Sequence, residues 1–264
     1  MRGRYSIRIV FFHKLSDNSS MIRTLAVYVY IFFSVTIVSM IAFFTAFICL
    51  FGMRKFMPYV IYRIVQAWAI SVIKIIGCKI TVTGTEHIPK KGGICFVCNH
   101  GSIFDIVVLI AYVGRPLGFI AKKELVYVPF INIWIKLLGG HFIDRKNLRK
   151  SLRTINKGVG HIKSGGAMAI FPEGHRSRGQ GLLPFHSGSL KLATQAEAPI
   201  IPIAISGSYD VFEKNYRVYP APIALTIGEM IPTAGLPKEE RKHILTDQVY
   251  QIISAALTAH KPLG

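Results

Sequence analysis

Acidic residues are scarce in this chain of 264 residues, with 13 Asp and Glu against 32 Lys and Arg. The formal net charge of +19 predicts that the protein attracts something anionic, either nucleic acid or an anionic membrane surface. Charged residues make up only 17% of the chain, whereas hydrophobic residues reach 51% and the mean hydropathy is +0.42. This composition is too apolar for an ordinary soluble domain and favours the membrane.

Cysteine is also sparse, since the chain contains only Cys49, Cys78, Cys95 and Cys98. Four cysteines in so long a chain argue against a disulfide framework. Cys95 and Cys98 have the spacing of a redox or zinc half-site, but no second such pair or His pair follows at ligand distance. The apolar run around them predicts a buried strand, in which both residues act as small hydrophobes.

Charge is missing altogether from residues 24–53, which follow a basic leader at residues 1–23. As a helix this stretch would be about 45 Å long, enough to cross a bilayer core of about 30 Å with tilt. It is longer than the apolar part of a signal peptide, and no small-residue cleavage site follows it. We predict an uncleaved membrane anchor, with a buried core helix as the alternative. Basic residues flank both ends, so their distribution predicts no orientation.

Residues 54–77 predict a second helix, with Arg63 and Lys74 about three turns apart on one face. We predict an amphipathic interfacial helix, and a helix packed against the following domain is the alternative. From residue 78, short runs rich in Val, Ile and Phe alternate with helical stretches. This alternation predicts an α/β domain over residues 78–264, with a mixed, largely parallel sheet flanked by helices.

The boundaries of the predicted elements follow from these runs and from the glycines and prolines between them. The predicted strands are 78–83, 93–98, 117–121, 140–144, 167–171, 200–205 and 223–228. The predicted helices are 103–113, 130–138, 148–163, 187–196 and 238–259.

His100 and Asp105 lie between a predicted strand end and a helix start, a common place for catalytic groups in α/β folds. Five residues apart across a turn, their side chains can meet, so that the carboxylate accepts the Nδ1–H and leaves Nε2 free to take a proton from an alcohol. If the alcohol is the substrate, no enzyme nucleophile is needed. The alternative is a loop His beside an Asp that interacts with the helix dipole.

Three further strand ends carry candidate anion contacts. The loop 171–179 holds two arginines and two glycines, which suit a phosphate because guanidinium forks bind its oxygens and glycines let the backbone approach. Arg145 ends the run 140–145, and Lys122 or Lys123 follows another strand. Each of these has an ordinary alternative as a solvated surface charge.

In this order, the segments NHGSIFD, AKKEL, GHFIDR, FPEGHRSR and APIIPIA resemble the 1-acyl-glycerol-3-phosphate acyltransferase family. The resemblance covers residues 77–230, and it implies the α/β fold with a membrane-associated N-terminal part. By resemblance His100 is the general base and Asp105 its orienting partner. The positions that the resemblance assigns to the glycerophosphate headgroup are Lys122, Arg145, Glu173, Gly174 and Arg176.

The reaction implied is transfer of a fatty acyl group from acyl-CoA or acyl carrier protein to the sn-2 hydroxyl of the lysolipid, giving phosphatidic acid. No metal or cofactor is expected, because a thioester is already activated and no ligand cluster is visible. The implied partners are membrane lipid, lysophosphatidic acid and the donor, but not nucleic acid. A cytosolic donor implies a cell membrane, the inner membrane in a bacterium, with the catalytic domain on its cytoplasmic face.

One position departs from the family pattern: His175 stands where the FPEG motif usually has Thr or Asn. A second ring near the phosphate leaves open an acyltransferase for another lysolipid. A different alternative is a basic, non-catalytic membrane-tethered binding protein. The basic surface itself has two possible uses, which are docking on anionic lipid and attracting an acidic acyl carrier protein.

Overall fold

The computed structural model describes residues 3–49, 57–186, 188–237 and 244–259. The strands are β1 (Lys79–Thr83), β2 (Ile94–Cys98), β3 (Leu117–Lys122), β4 (His141–Ile143), β5 (Ala167–Ile170), β6 (Ile200–Ser206) and β7 (Pro222–Ile227). The helices are α1 (Gly3–Cys49), α2 (Met57–Ile76), α3 (Phe104–Tyr112), α4 (Ile131–Leu137), α5 (Leu148–Lys163), α6 (Lys191–Ala196) and α7 (Ile244–Ala259). Each predicted strand and helix of the α/β domain is therefore confirmed, although α6 begins later than predicted and residues 238–243 lie outside the described ranges.

The strands form one sheet in the order β1-β7-β6-β2-β5-β3-β4. Neighbouring strands are parallel except for β6 and β7, which are antiparallel. The prediction of a mixed, largely parallel sheet is confirmed. The central strand β2 is buried along its whole length, as expected for a parallel strand covered by helices on both faces. Its carboxyl end leads directly into the His100 loop.

Helices α2 and α3, together with Val27 of α1, cover one face of the sheet, and α5, α6 and α7 cover the other. Successive residues of β2 alternate between these two layers, so Cys95 belongs to one and Cys98 to the other. Both thiols are completely buried, and burial raises the pKa of Cys95 to about 12. Both cysteines lie in β2, so the prediction that they are strand residues is confirmed. Because their side chains lie on opposite faces of the sheet, the two thiols cannot bind one metal ion together.

Two helical segments of the described chain are long and apolar enough to cross a membrane. They are Ser20–Ile41, with a mean hydropathy of 2.1, and Pro58–Ile76, with 1.5. The first exposes large apolar side chains such as Phe32 and Phe33. One helix, α1, runs from Gly3 to Cys49 through the predicted leader and most of the predicted anchor. Residues 50–53 of the predicted anchor lie outside the described ranges.

Helix α2 packs on the α/β domain along one side. Tyr62 donates a hydrogen bond to the Ile110 carbonyl at 3.2 Å, and Gln66 donates one to the Ala111 carbonyl at 2.9 Å. Arg63 and Lys74 remain exposed. The helix thus makes the domain contact that was the alternative, and its position at a membrane interface stays a prediction.

Two half-buried histidines give the fold a pH dependence that can be measured. Burial lowers the pKa of His161, and the pKa of His141 is lowered by burial and by the charges of His161 and Lys157. Below about pH 6.5, the ordinary pKa of histidine, these two side chains bind more protons in the unfolded chain than in the folded one. The free energy of unfolding therefore falls as pH falls through that value. We expect the parent protein to lose more thermal stability than His161→Gln between about pH 7.5 and pH 5. Equal losses would contradict this assignment.

Candidate active site

His100 and Asp105 meet at the carboxyl end of β2. The imidazole Nδ1 lies 2.9 Å from Oδ2 of Asp105, whose side chain is completely buried, while 14% of the His100 side chain is exposed. The loop after β2 turns back to begin α3 at Phe104, and this turn brings the two side chains together. With Nδ1 occupied, Nε2 is the ring nitrogen left for a substrate.

Three donors hold the Asp105 carboxylate. The Ser102 amide donates to Oδ2 at 2.9 Å alongside Nδ1 of His100, and the Ser208 hydroxyl donates to Oδ1. A carboxylate so bound is fixed in position and can orient the imidazole. The sequence analysis did not identify Ser208. The sequence shows only that Ser208 follows a predicted strand, and the structure adds that this strand, β6, is a neighbour of β2.

Glu173 holds the His100 loop from the next strand, β5. Its side chain is buried, with one oxygen accepting the His100 amide and the other accepting the Leu183 amide at 3.0 Å. Burial raises the pKa of this carboxyl group, and the two amide hydrogen bonds act in the opposite direction. Both oxygens therefore accept backbone amides, so the carboxylate holds the His100 loop to the loop after β5.

A ring stack also fixes the imidazole plane. His100 lies on Phe171 with ring centroids 4.0 Å apart and an angle of 19° between the planes. The His100 carbonyl accepts the Ser177 amide at 2.7 Å, which joins this loop to the one after β5. His100 is thus held by its ring face, its Nδ1 atom and its backbone at once.

A buried carboxylate distant in sequence connects the His100 loop to Arg176. Glu213 accepts a hydrogen bond from Arg176 at 2.9 Å, another from the Ile103 amide at 2.7 Å, and a third from the Ser102 hydroxyl. About one third of the Arg176 side chain is exposed, so its guanidinium group is held on one side and open on the other. Sequence analysis missed Glu213, because it lies between β6 and β7, outside every motif.

Arg145 and Gly174 are in direct contact, since the Arg145 guanidinium donates to the Gly174 carbonyl. Gly174 has a φ of 74°, and a Cβ there would lie 2.8 Å from Nε2 of His186. The glycine thus allows a turn that another residue would strain. Arg145 is exposed beside this turn, and His175 next to it is exposed as well.

The two lysines at the carboxyl end of β3 have different partners. Lys122 is 63% exposed and lies 3.8 Å from Glu124, whereas Lys123 forms a 2.9 Å ion pair with Asp144. Hydrogen bonding to Asp144 raises the pKa of Lys123 and lowers that of its partner. Of the two lysines, Lys122 is the one free to move towards an anion.

The parts of the chain that the structure describes contain no cluster of three or more His, Cys, Asp or Glu side chains placed to hold a metal ion. What they do contain is an imidazole oriented by Asp105, with Arg145 and Arg176 on neighbouring loops at the carboxyl edge of the parallel strands. A general base next to cations can deprotonate a hydroxyl on an anionic molecule. A family model described as Acyltransferase matches residues 79–206, which include every one of these side chains except Ser208 and Glu213. The fold and the site thus define an acyltransferase.

Known proteins agree in fold and sequence. A 1-acyl-sn-glycerol-3-phosphate acyltransferase of Borreliella burgdorferi is 30% identical over 66% of this chain and 71% of its own. A probable enzyme of the same name from Mycoplasma genitalium is 32% identical over 76% and 78%. The crystal structure of the 1-acyl-sn-glycerophosphate (LPA) acyltransferase PlsC from Thermotoga maritima superposes with a TM-score of 0.80, at 24% identity, over 92% of this chain and 97% of that one. The chain belongs to the 1-acyl-sn-glycerol-3-phosphate acyltransferase family.

Proposed function

We propose that this enzyme transfers a fatty acyl group from a thioester to the sn-2 hydroxyl of 1-acyl-glycerol-3-phosphate, giving phosphatidic acid. The observation that carries the proposal is the His100–Asp105 pair, which leaves Nε2 for a substrate, with Arg145 and Arg176 on the neighbouring loops. The names of the relatives support the choice of acceptor. The membrane helices support a lipid substrate, because an acyl chain in the bilayer can reach a site attached to the same bilayer.

The chemistry requires one base and one activated carbonyl. Nε2 of His100 takes the hydroxyl proton as the oxygen attacks the thioester carbon, forming a C–O bond and a tetrahedral oxyanion. The oxyanion collapses, the C–S bond breaks, and the leaving sulfur takes the proton from Nε2. Asp105 stabilises the transient imidazolium through Nδ1. The thioester supplies the activation, so this scheme uses no metal and no cofactor.

The headgroup phosphate is proposed to bind between the arginines. Arg176 is held by Glu213 and Arg145 is held by the Gly174 carbonyl, so both guanidinium groups are positioned before substrate arrives. Positioned guanidinium groups bind phosphate oxygens without a large loss of side-chain entropy. Lys122 is a further candidate contact from β3. Holding the hydroxyl near Nε2 supplies a large part of the acceleration.

The donor is acyl-CoA or acyl carrier protein, both of which are cytosolic. The α/β domain is therefore proposed to lie on the cytoplasmic face of the cell membrane, or of the inner membrane in a bacterium. Helix α1 contacts both α2 and the α/β domain, through Trp68 of α2 and Trp134 of α4. Trp68 donates to Ser34 at 3.0 Å, and Trp134 donates to Ser39 at 2.9 Å. These contacts keep the site close to the lipid.

The test is acyl transfer by membranes that carry the full-length protein. A labelled acyl-CoA or acyl carrier protein is supplied with lysophosphatidic acid or with a lysolipid that lacks the phosphomonoester, such as lysophosphatidylcholine. We expect label in phosphatidic acid. We also expect Arg145→Ala to raise the KM for lysophosphatidic acid by about tenfold, because the variant loses one charged contact with the phosphate. Label in another lipid would keep the mechanism and replace the acceptor. No transfer to any acceptor would favour the non-catalytic binding protein.

A further inference from the structure

Helix α5 carries a continuous basic face on the outside of the α/β domain. Arg149, Lys150, Arg153 and Lys157 are all exposed, and at 3.6 residues per turn they lie within an arc of about 100°. We call these four residues the basic face of α5. No Asp or Glu occurs from residue 145 to residue 172, so the sequence around this helix adds only positive charge. None of the ion pairs found in the described ranges uses one of the four cations.

The opposite side of α5 is packed on the sheet. Ile155, Val159 and Ile162 belong to the core layer that also contains Cys95, and Thr154 donates to the Phe142 carbonyl at 3.0 Å. This layer lies on the sheet face opposite to α1 and α2, which are the apolar helices. The basic face of α5 therefore points away from α1 and α2, the two helices that are long and apolar enough to cross a bilayer.

The basic face also begins next to the candidate active site. Strand β4 leads into α5 through Arg145, which contacts the Gly174 carbonyl in the loop after β5. Asn147 caps the helix by accepting the Lys150 amide at 3.0 Å, so the first turn is fixed at the carboxyl edge of the sheet. Arg149 and Arg153 lie in the first two turns of α5, at the edge of the sheet where the strand ends carry His100 and Arg145.

We propose that the basic face of α5 docks an acidic acyl carrier protein that presents the acyl thioester to His100. The inference rests on the proposed function and names the donor that it leaves open. Charge complementarity selects an acidic partner, because a single-sign surface attracts and orients the opposite sign. The position of α5 opposite the apolar helices favours a soluble protein over a lipid surface. Docking there leaves the acceptor free to enter from the bilayer side.

Charge reversal on α5 tests the proposal. We expect the full-length Arg149→Glu/Arg153→Glu variant to show a KM for palmitoyl acyl carrier protein raised about tenfold or more, with the KM for palmitoyl-CoA changed less than about threefold. The matched control is Lys90→Glu/Lys91→Glu, the reversal of two other exposed lysines. It changes the net charge equally, but these lysines lie just before β2, at the amino end of that strand. That control is expected to leave both KM values unchanged. Added salt should weaken use of the carrier protein by the parent enzyme more than use of palmitoyl-CoA.

Several results would overturn the proposal. One is a carrier-protein KM that does not change on reversal, and another is an equal loss with both donors. A third is weaker flotation with phosphatidylglycerol vesicles by the α5 variant and unchanged carrier kinetics, which would assign the surface to the membrane.

Direct binding of the unacylated carrier protein, followed by fluorescence anisotropy, needs no turnover. Binding that α5 reversal abolishes would therefore support docking even if the proposed reaction failed. If the reversed variant does not fold, Arg149→Gln/Arg153→Gln replaces it.

Discussion

The His100→Ala variant is expected to lose acyl transfer by a factor of about 10²–10⁴, the usual contribution of a general base, while remaining folded. The ring touches Phe171 and Asp105, but it is partly exposed, so its removal opens no large cavity. The loss should appear in kcat with either donor, because proton removal is common to both. Initial rates with lysophosphatidic acid, together with the thermal unfolding midpoint, measure the two parts of this expectation.

Two further variants make the result specific. Asp105→Asn keeps the shape of the buried side chain but offers the imidazole a neutral amide, so we expect most of the His100 effect to be reproduced. His87→Ala is the control, because His87 lies at the end of the sheet formed by β1 and β7. Its Nδ1 is 2.9 Å from the Ile227 carbonyl. The rate of this variant should stay close to that of the parent. Full activity in His100→Ala would refute the mechanism.

Glu213→Ala is expected to weaken both the fold and the headgroup site. The change removes the partner of Arg176 and leaves the Ile103 amide and the Ser102 hydroxyl without their acceptor. Losing hydrogen bonds to a buried charged group costs about 2–3 kcal/mol of unfolding free energy. Because Arg176 would no longer be held, the KM for lysophosphatidic acid should rise by about tenfold or more. Steady-state kinetics and chemical denaturation measure the two effects.

The Glu213→Gln variant separates positioning from general stability. The amide oxygen can still accept from Ile103 or Ser102, but the negative charge that holds Arg176 is gone. We expect near-parental stability with a raised KM for the phosphate-bearing acceptor and a smaller change for a lysolipid without the phosphomonoester. Equal KM changes for the two acceptors would show that Glu213 acts only on the fold.

The secondary structure was predictable because local patterns determine it. Alternation of short apolar runs with helical stretches located β1 to β7 and the helices between them, and the buried strand around Cys95 and Cys98 followed from the same pattern. The spacing of His100 and Asp105 also sufficed to predict their contact, since both lie on one short turn. Glycines and prolines indicated the remaining boundaries, whereas the charge-free run from residue 24 did not locate the start of α1 at Gly3. Each of these inferences depends on residues close to one another in the chain.

The contacts that complete the site depend on the order of strands in the sheet. Ser208 lies 103 residues from Asp105, and Glu213 lies 110 residues from Ile103. They meet because β6 pairs with β2, a fact that no local pattern contains. The same packing directs both oxygens of Glu173 to backbone amides. It also pairs Lys123, and not Lys122, with Asp144.

The sequence by itself determined the elements, the largely parallel sheet, the His100–Asp105 pair and the excess of positive charge, because each is a property of composition or of neighbouring residues. Only the tertiary structure decided which carboxylates hold His100 and its loop, which group holds each arginine, and which layer carries the basic face of α5. Those outcomes arise when parallel strands bring the loops at their carboxyl ends together and when helices pack on opposite faces. Burial and hydrogen bonding between distant segments then fix the role of each charged side chain.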